Sequence, residues 1–329
     1  MQSGLESFGI PSQPLSATNG KDPNDWRVKA TSNDLEKARS TLRQFYRDWS
    51  AEGASEREAC YGPVVRALMA ERSARSGLKM SVLVPGAGLG RLVFDLCGLG
   101  FDTEGNEISY HQLLASSYIL NHCPKAHAHE LFPWIHSFSN HKNRTSHLKS
   151  VKIPDMHPGT TLGCNEDAGK MSMSASDFLL LYGDEAYKDK FDAVATVFFL
   201  DTAPNIIRYI EAIKNCLRPG GILVNIGPLL WHFENNAPGT HGREKDSFSE
   251  DDAKGNTSVL SKERVSDSSV GIADPGAVEL TDDEVMALIE KFGFDVEKRE
   301  SGIVAPYIQD PQSMIQNTYM ASHWIARKR

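Results

Sequence analysis

The stretch VLVPGAGLGR, residues 82–91, constrains this chain more than any other. Val82, Leu83 and Val84 run into Pro85, and Gly86, Gly88 and Gly90 then alternate. An apolar run broken by alternating glycines reads as a buried strand entering a tight turn. With no Cβ atoms there, the backbone can approach a ligand closely. The following LGRLVFDLCGLG reads as a helix whose first turn offers unpaired N–H groups and the positive end of a dipole.

Alternation continues downstream. FDTEGNEIS is a second strand ending at Glu107, and YHQLLASSYILNHC a second helix. FDAVATVFFLD is another buried strand, TAPNIIRYIEAIKNCL a helix and RPGGILVNIG a turn and strand. FDVEKRES and MASHWIARKR then supply two strands that pair as an antiparallel hairpin. Strands alternating with helices predict an α/β, Rossmann-like, mostly parallel and doubly wound sheet with that hairpin at its C-terminal edge. Two helices precede it, in LEKARSTLRQFYRDWS and EREACYGPVVRALMAERS, with Pro63 a candidate start for the second. Residues 1–32 read as a loose lead-in and 33–329 as one domain. Within the domain, polar stretches at about 139–172 and 236–277 interrupt the pattern, the latter as an insertion.

Composition narrows the partners. A net charge of −8 provides no basic field for nucleic acid or an anionic membrane. No apolar run reaches the roughly 18 residues of a membrane span. Five cysteines without a CxxC pair fit a reducing compartment, so the expected location is the cytoplasm, with the nucleus left open. Eight of eleven histidines lie between residues 111 and 157, but their spacing closes no ligand set, and no metal is expected.

A Gly-rich turn suits the pyrophosphate of NAD or FAD, and it also suits the carboxylate of S-adenosylmethionine. Glu107, 17 residues after Gly90, is placed to accept both ribose hydroxyls, a feature common to both cofactors. Asp177 and Phe178, in SASDFLLLY, offer an acid and a ring to an adenine. With the reversed terminal strand, typical of class I methyltransferases, these features favour S-adenosylmethionine, leaving S-adenosylhomocysteine as product.

Longer strings resemble the carnosine N-methyltransferase family: QFYRDWSAEGASEREACY, VLVPGAGLGRL, GNEIS, FPWIHSFSN, FFLDTAPNIIRYI and RPGGILVNIGPLLWHFEN. The resemblance runs from about Leu42 to Arg329, outside the polar insertion. It implies methyl transfer to an imidazole nitrogen of carnosine, giving anserine, or of a related histidine-containing dipeptide. Carried over, the family's cofactor contacts fall on Gln44, Arg47, Gly86, Glu107, Asp177, Phe178 and the strand near Val197, with Gly88 added from the turn. Its substrate contacts fall on Asp201, His232 and Tyr319. His136 lies inside FPWIHSFSN and would line the same pocket.

The residues bear their own reading beside this one. Gln44 and Arg47, at i and i+3, share a helix face, where Arg47 can pair with a carboxylate or simply meet solvent. Asp201 follows an apolar strand at its carboxyl end, where open α/β sheets bind ligands, but it is also placed to N-cap the next helix. His232 ends the next strand and could equally be a hydrogen-bonded core histidine. In SMIQNTYMASHW, Tyr319 remains while Asn317 and Thr318 stand where the family carries tyrosines, and Tyr307 could compensate. Two other readings stay open: a methyltransferase for another small molecule or a protein histidine, and a non-catalytic S-adenosylmethionine-binding regulatory protein. The expected partner is a small dipeptide, with a homodimer left open.

Overall fold

The computed structural model describes residues 30–234 and 277–329. Most of the predicted lead-in and nearly all of the 236–277 insertion therefore lie outside the described residues. Helix α1 (Ser32–Trp49) opens on a capping box, in which Thr31 and Asp34 satisfy each other's backbone N–H. Helix α2 (Ala54–Ala74) runs straight through Pro63, so the proline does not start it. A proline removes one intrahelical bond. Burial of Cys60, Val64 and Leu68 against the sheet outweighs that loss.

The chain then alternates: β1 (Ser81–Pro85), α3 (Arg91–Gly98), β2 (Asp102–Glu107) and α4 (Tyr110–Ser117). A small antiparallel pair follows, β3 (His129–Leu131) with β4 (Val151–Ile153), and then β5 (Met171–Ala175) and the short α5 (Phe178–Tyr182). Next come β6 (Phe191–Val197), α6 (Ile206–Cys216) and β7 (Leu217–Gly227). Helix α7 (Asp282–Lys291) leads to β8 (Phe294–Pro306) and β9 (Thr318–Lys328).

Among the described residues the main sheet has the order β5-β2-β1-β6-β7-β9-β8. All neighbours are parallel up to β7, and β9 is antiparallel to both β7 and β8. This is the doubly wound sheet with a reversed edge hairpin, the class I methyltransferase topology. Its order reverses at β1, which places a ligand crevice at the carboxyl ends of β1 and β6.

Apolar layers cover both faces. Phe178, Tyr209, Ile213, Ile289 and Trp324 fill one, and Leu68, Leu92, Val93 and Val224 the other. A third cluster, including Tyr46, Trp49, Leu89 and Trp134, seats α1 over the Gly-rich turn. The outer strand β8 carries Glu297, Lys298, Arg299 and Glu300, charges that discourage pairing at an open edge.

Two expectations change. The stretch 139–172 is not only an interruption, because it contains β4 and ends in β5, which completes the sheet edge. The strand in FDAVATVFFLD stops at Val197; Phe198 takes a left-handed backbone (φ 53°) and Leu200–Thr202 form a 3-10 turn.

Candidate active site

The Gly-rich turn folds as its residues require. Gly86, Gly88 and Gly90 all take positive φ, at 65°, 57° and 77°, and Gly90 N-caps α3. A Cβ on Gly86 would also stand 2.7 Å from the Phe199 ring. Gly86→Ala is therefore expected to cost about 1–2 kcal/mol in urea denaturation from the backbone alone. No loss would mean that the turn relaxes freely.

Buried polar bonds hold α1 against this turn. The Trp49 indole N–H donates to the Leu89 carbonyl (3.0 Å), and Arg91 Nη1 donates to the Asp48 carbonyl (2.8 Å). Asp155 accepts from Arg91 Nη1 (2.8 Å) and from Arg57 Nη2 (2.9 Å), while its own N–H donates to the Trp49 carbonyl (2.8 Å). Arg57 Nη1 donates to the carbonyls of Arg47 (2.6 Å) and Ser50 (2.8 Å). Arg91, the residue at which a dinucleotide fingerprint would continue, is thus a buried tether.

Glu107 is buried at the end of β2. Its Oε2 accepts the Gly88 N–H (2.9 Å), and its Oε1 accepts from the N–H groups of Ile108 and Ser109 (both 2.8 Å). Burial raises its pKa, against the opposing pull of those three N–H groups. The Gln112 amide bridges it to Gln44. Its –NH2 donates to both Glu107 oxygens (2.8 and 3.0 Å) and its oxygen accepts from Gln44 Nε2 (2.8 Å). The reverse orientation would set an amide oxygen against the carboxylate. Gln112 was missed from sequence, where nothing but its place five residues after Glu107 hints at it.

Arg47 lines the cavity at the turn together with Gly86, Ala87, Val197 and Tyr307. Its guanidinium grips Asp48 (Nε to Oδ1 2.7 Å, Nη2 to Oδ2 3.1 Å), and the Tyr61 hydroxyl donates to the same Oδ1 (2.9 Å). Burial works against the charge on Arg47, but Asp48 more than restores it, so the group stays fully protonated. The solvated-face reading of Arg47 does not hold. A Cβ built on Gly88 meets nothing nearer than Arg47 Nη2 at 4.0 Å, so the space between turn and guanidinium is open. An amino-acid carboxylate fits there, with a carboxylate at Glu107 to accept ribose hydroxyls.

Asp177 and Phe178 sit at the start of α5. Asp177 N-caps it, its Oδ1 accepting from Leu179 N–H (2.8 Å) and Leu180 N–H (3.2 Å). Phe178 is buried among Tyr182, Phe199 and Tyr209, ring centroids 5.2–5.3 Å apart, so it serves the core as well as any adenine. Tyr307 and Tyr319 come together 5.9 Å apart, and Phe198 lies 5.2 and 5.8 Å from them. The left-handed turn at Phe198 is what aims its ring into this cluster. Arg47 lies 5.6 Å from the Tyr307 ring, which joins the aromatic wall to the cofactor cavity. Tyr307 therefore stands beside Tyr319.

Asp201 does not cap α6; Asn205 does, accepting the Ile207 N–H (3.0 Å). Four residues too early for that task, Asp201 is buried, and its Oδ2 accepts the Leu230 N–H (3.0 Å). The His232 N–H donates to the Asp201 carbonyl (3.0 Å), so the two rim residues are stitched together. His232 is exposed, which removes the core-histidine reading. Burial raises the Asp201 pKa, opposed by the Leu230 N–H and by positive charge on His232. Tyr319 feels the charge of Asp201 in turn.

A family model described as carnosine N-methyltransferase matches residues 24–329. The carnosine N-methyltransferase of Rattus norvegicus is 32% identical over 311 residues, covering 94% of this chain and 67% of its own length. That of Schizosaccharomyces pombe is 38% identical over 295 residues, covering 89% of this chain and 71% of its own. The carnosine N-methyltransferase unmet of Drosophila melanogaster is 36% identical over 296 residues, covering 89% and 55%.

Proposed function

The chain belongs to the carnosine N-methyltransferase family, and on that premise we propose that it transfers a methyl group from S-adenosylmethionine to an imidazole nitrogen of carnosine, giving anserine. Glu107, Arg47 and the N–H groups of the Gly-rich turn would hold the cofactor, with Gln44 and Gln112 steadying Glu107. When bound, that cofactor presents its methyl on a sulfonium, whose departure needs no acid.

The work left to this chain is orientation and charge. A neutral imidazole attacks through one nitrogen and carries a proton on the other. The Asp201 carboxylate accepts that N–H, which selects the tautomer and aims the free lone pair at the methyl. As the ring becomes cationic, a buried carboxylate stabilises it more than water would. The ring then passes its remaining proton to Asp201 and on to solvent. Phe198, Tyr307 and Tyr319 wall the ring and keep water from the methyl. His232, at the open rim, hydrogen-bonds the peptide part.

The observation that carries this reading is the buried Asp201 carboxylate at the carboxyl end of the sheet, held by the Leu230 N–H, with its backbone carbonyl bonded to the His232 N–H. Incubation with methyl-labelled S-adenosylmethionine and carnosine should place label on the imidazole ring. Cofactor binding without transfer to any histidyl dipeptide would sink the proposed substrate.

A further inference from the structure

Beside this site lies a second pocket with no assigned role. The loop between β8 and β9 folds over residues 132–148, held by Met314 N–H to the Asn140 carbonyl (2.8 Å) and Ser146 Oγ to Gln312 (3.1 Å). Arg43, on α1, closes the third side. A neighbouring groove shares Arg43, Ile308 and Asn317 with it and Tyr307 with the cofactor cavity.

Among the described residues, four buried side-chain polar atoms have no hydrogen-bond partner, and three of them belong to residues lining this one pocket: Arg43 Nε, His141 Nδ1 and Asp310 Oδ2. Leaving such atoms unsatisfied is costly, so their convergence points to something they bind. Their chemistry can be read. Arg43 Nε–H is a donor. His141 donates its Nε2–H to the Ser137 carbonyl (3.0 Å), so that in the neutral ring Nδ1 is an acceptor. Asp310 is only 4% exposed and spends Oδ1 on the Gln312 N–H (2.9 Å), which leaves Oδ2 an acceptor.

Two acceptors and one donor do not suit an inorganic anion, which Asp310 would repel. They suit a protonated amine lying near a carbonyl. Burial and the charge of Arg43 push His136, in the same pocket, below its usual pKa, so it adds no competing positive charge at neutral pH.

We propose that this pocket holds the amino end of the dipeptide, the ammonium between Asp310 Oδ2 and His141 Nδ1 and the neighbouring carbonyl on Arg43 Nε–H. The inference rests on the substrate reading above and sharpens it. The enzyme selects a histidyl compound by its free amine as well as by the ring it methylates.

Steady-state kinetics at saturating S-adenosylmethionine test this with carnosine and N-acetylcarnosine, whose amine is blocked. The wild-type kcat/KM should be about 10- to 100-fold lower for the acetylated compound, chiefly through KM. Asp310→Asn should lower the value for carnosine about 10-fold and change that for N-acetylcarnosine less than about 3-fold, so that the preference collapses. Equal wild-type kcat/KM for the two compounds would overturn the proposal. So would an equal loss for both in the variant while S-adenosylhomocysteine affinity stays intact. The wild-type comparison depends on no variant folding, and His141→Ala replaces Asp310→Asn if the latter unfolds. Turnover of both compounds at equal rates sinks the pocket and leaves carnosine as substrate. Turnover of neither removes the substrate and this inference with it.

Discussion

Asp201→Asn should lower kcat for carnosine methylation about 10²–10³-fold, the range for removing one preorganised partner of a developing charge. Affinity for S-adenosylmethionine should stay within about 3-fold, less than 1 kcal/mol. The amide can still accept the Leu230 N–H through its oxygen, so the local turn survives. What disappears is the negative charge that the methylated ring needs.

Stability should move the other way. Burial raises the Asp201 pKa in the folded protein, so the native state holds this proton more tightly than the unfolded chain. Its charged form therefore destabilises the fold at neutral pH, and stability returns as pH falls through the raised value. The uncharged Asp201→Asn variant should melt no lower than wild type. A variant that loses turnover, cofactor and melting temperature together would make Asp201 structural. On the acidic side, activity should fall as the substrate imidazole, ordinarily about 6.5, takes a proton and loses its lone pair. The raised Asp201 adds to that limb, so the variant's profile should follow the substrate alone.

Asp155→Ala should destabilise the protein by about 3–5 kcal/mol, the range for stranding a buried ionic partner. Asp155 meets two guanidiniums, Arg57 and Arg91, with side chains 9% and 5% exposed. Burial and the neighbouring Arg91 already pull the Arg57 pKa down, so without the carboxylate Arg57 would lose its ion partner beside Arg91, which keeps Asp95 (2.8 Å). Those arginines also grip the carbonyls of Arg47, Asp48 and Ser50. Loss of the clamp should loosen α1 and weaken cofactor binding along with the melting temperature, by roughly 5–15 °C. A shift below about 2 °C would show that the apolar cluster under α1 suffices without it.

The sheet was legible because buried parallel strands are short apolar runs and each is followed by a helical repeat. Strand β5 escaped because MSMSA is half polar and its faces are only partly buried, although its strict alternation was a usable signal. The Gly-rich turn and Glu107 were legible from spacing, since φ above zero demands glycine and a strand end demands a fixed position. Gln112, Asp48 and Asp155 were not. Each acts by reaching a partner that the fold brings near, and polar residues on helix faces or loops carry no periodic mark of such contacts. The same limit made Asp201 look like a cap for α6, a role that belongs to Asn205.

Phe198 has a consequence for anyone selecting heat-resistant variants. A bulky aromatic at φ 53° costs about 1–2 kcal/mol that glycine would not. Phe198→Gly would relieve that strain but strip away the ring packed on Tyr307 and Tyr319, so the two effects oppose each other in a melting experiment. A screen that scores only survival after heating would therefore report on this balance and not on the wall proposed for the substrate ring.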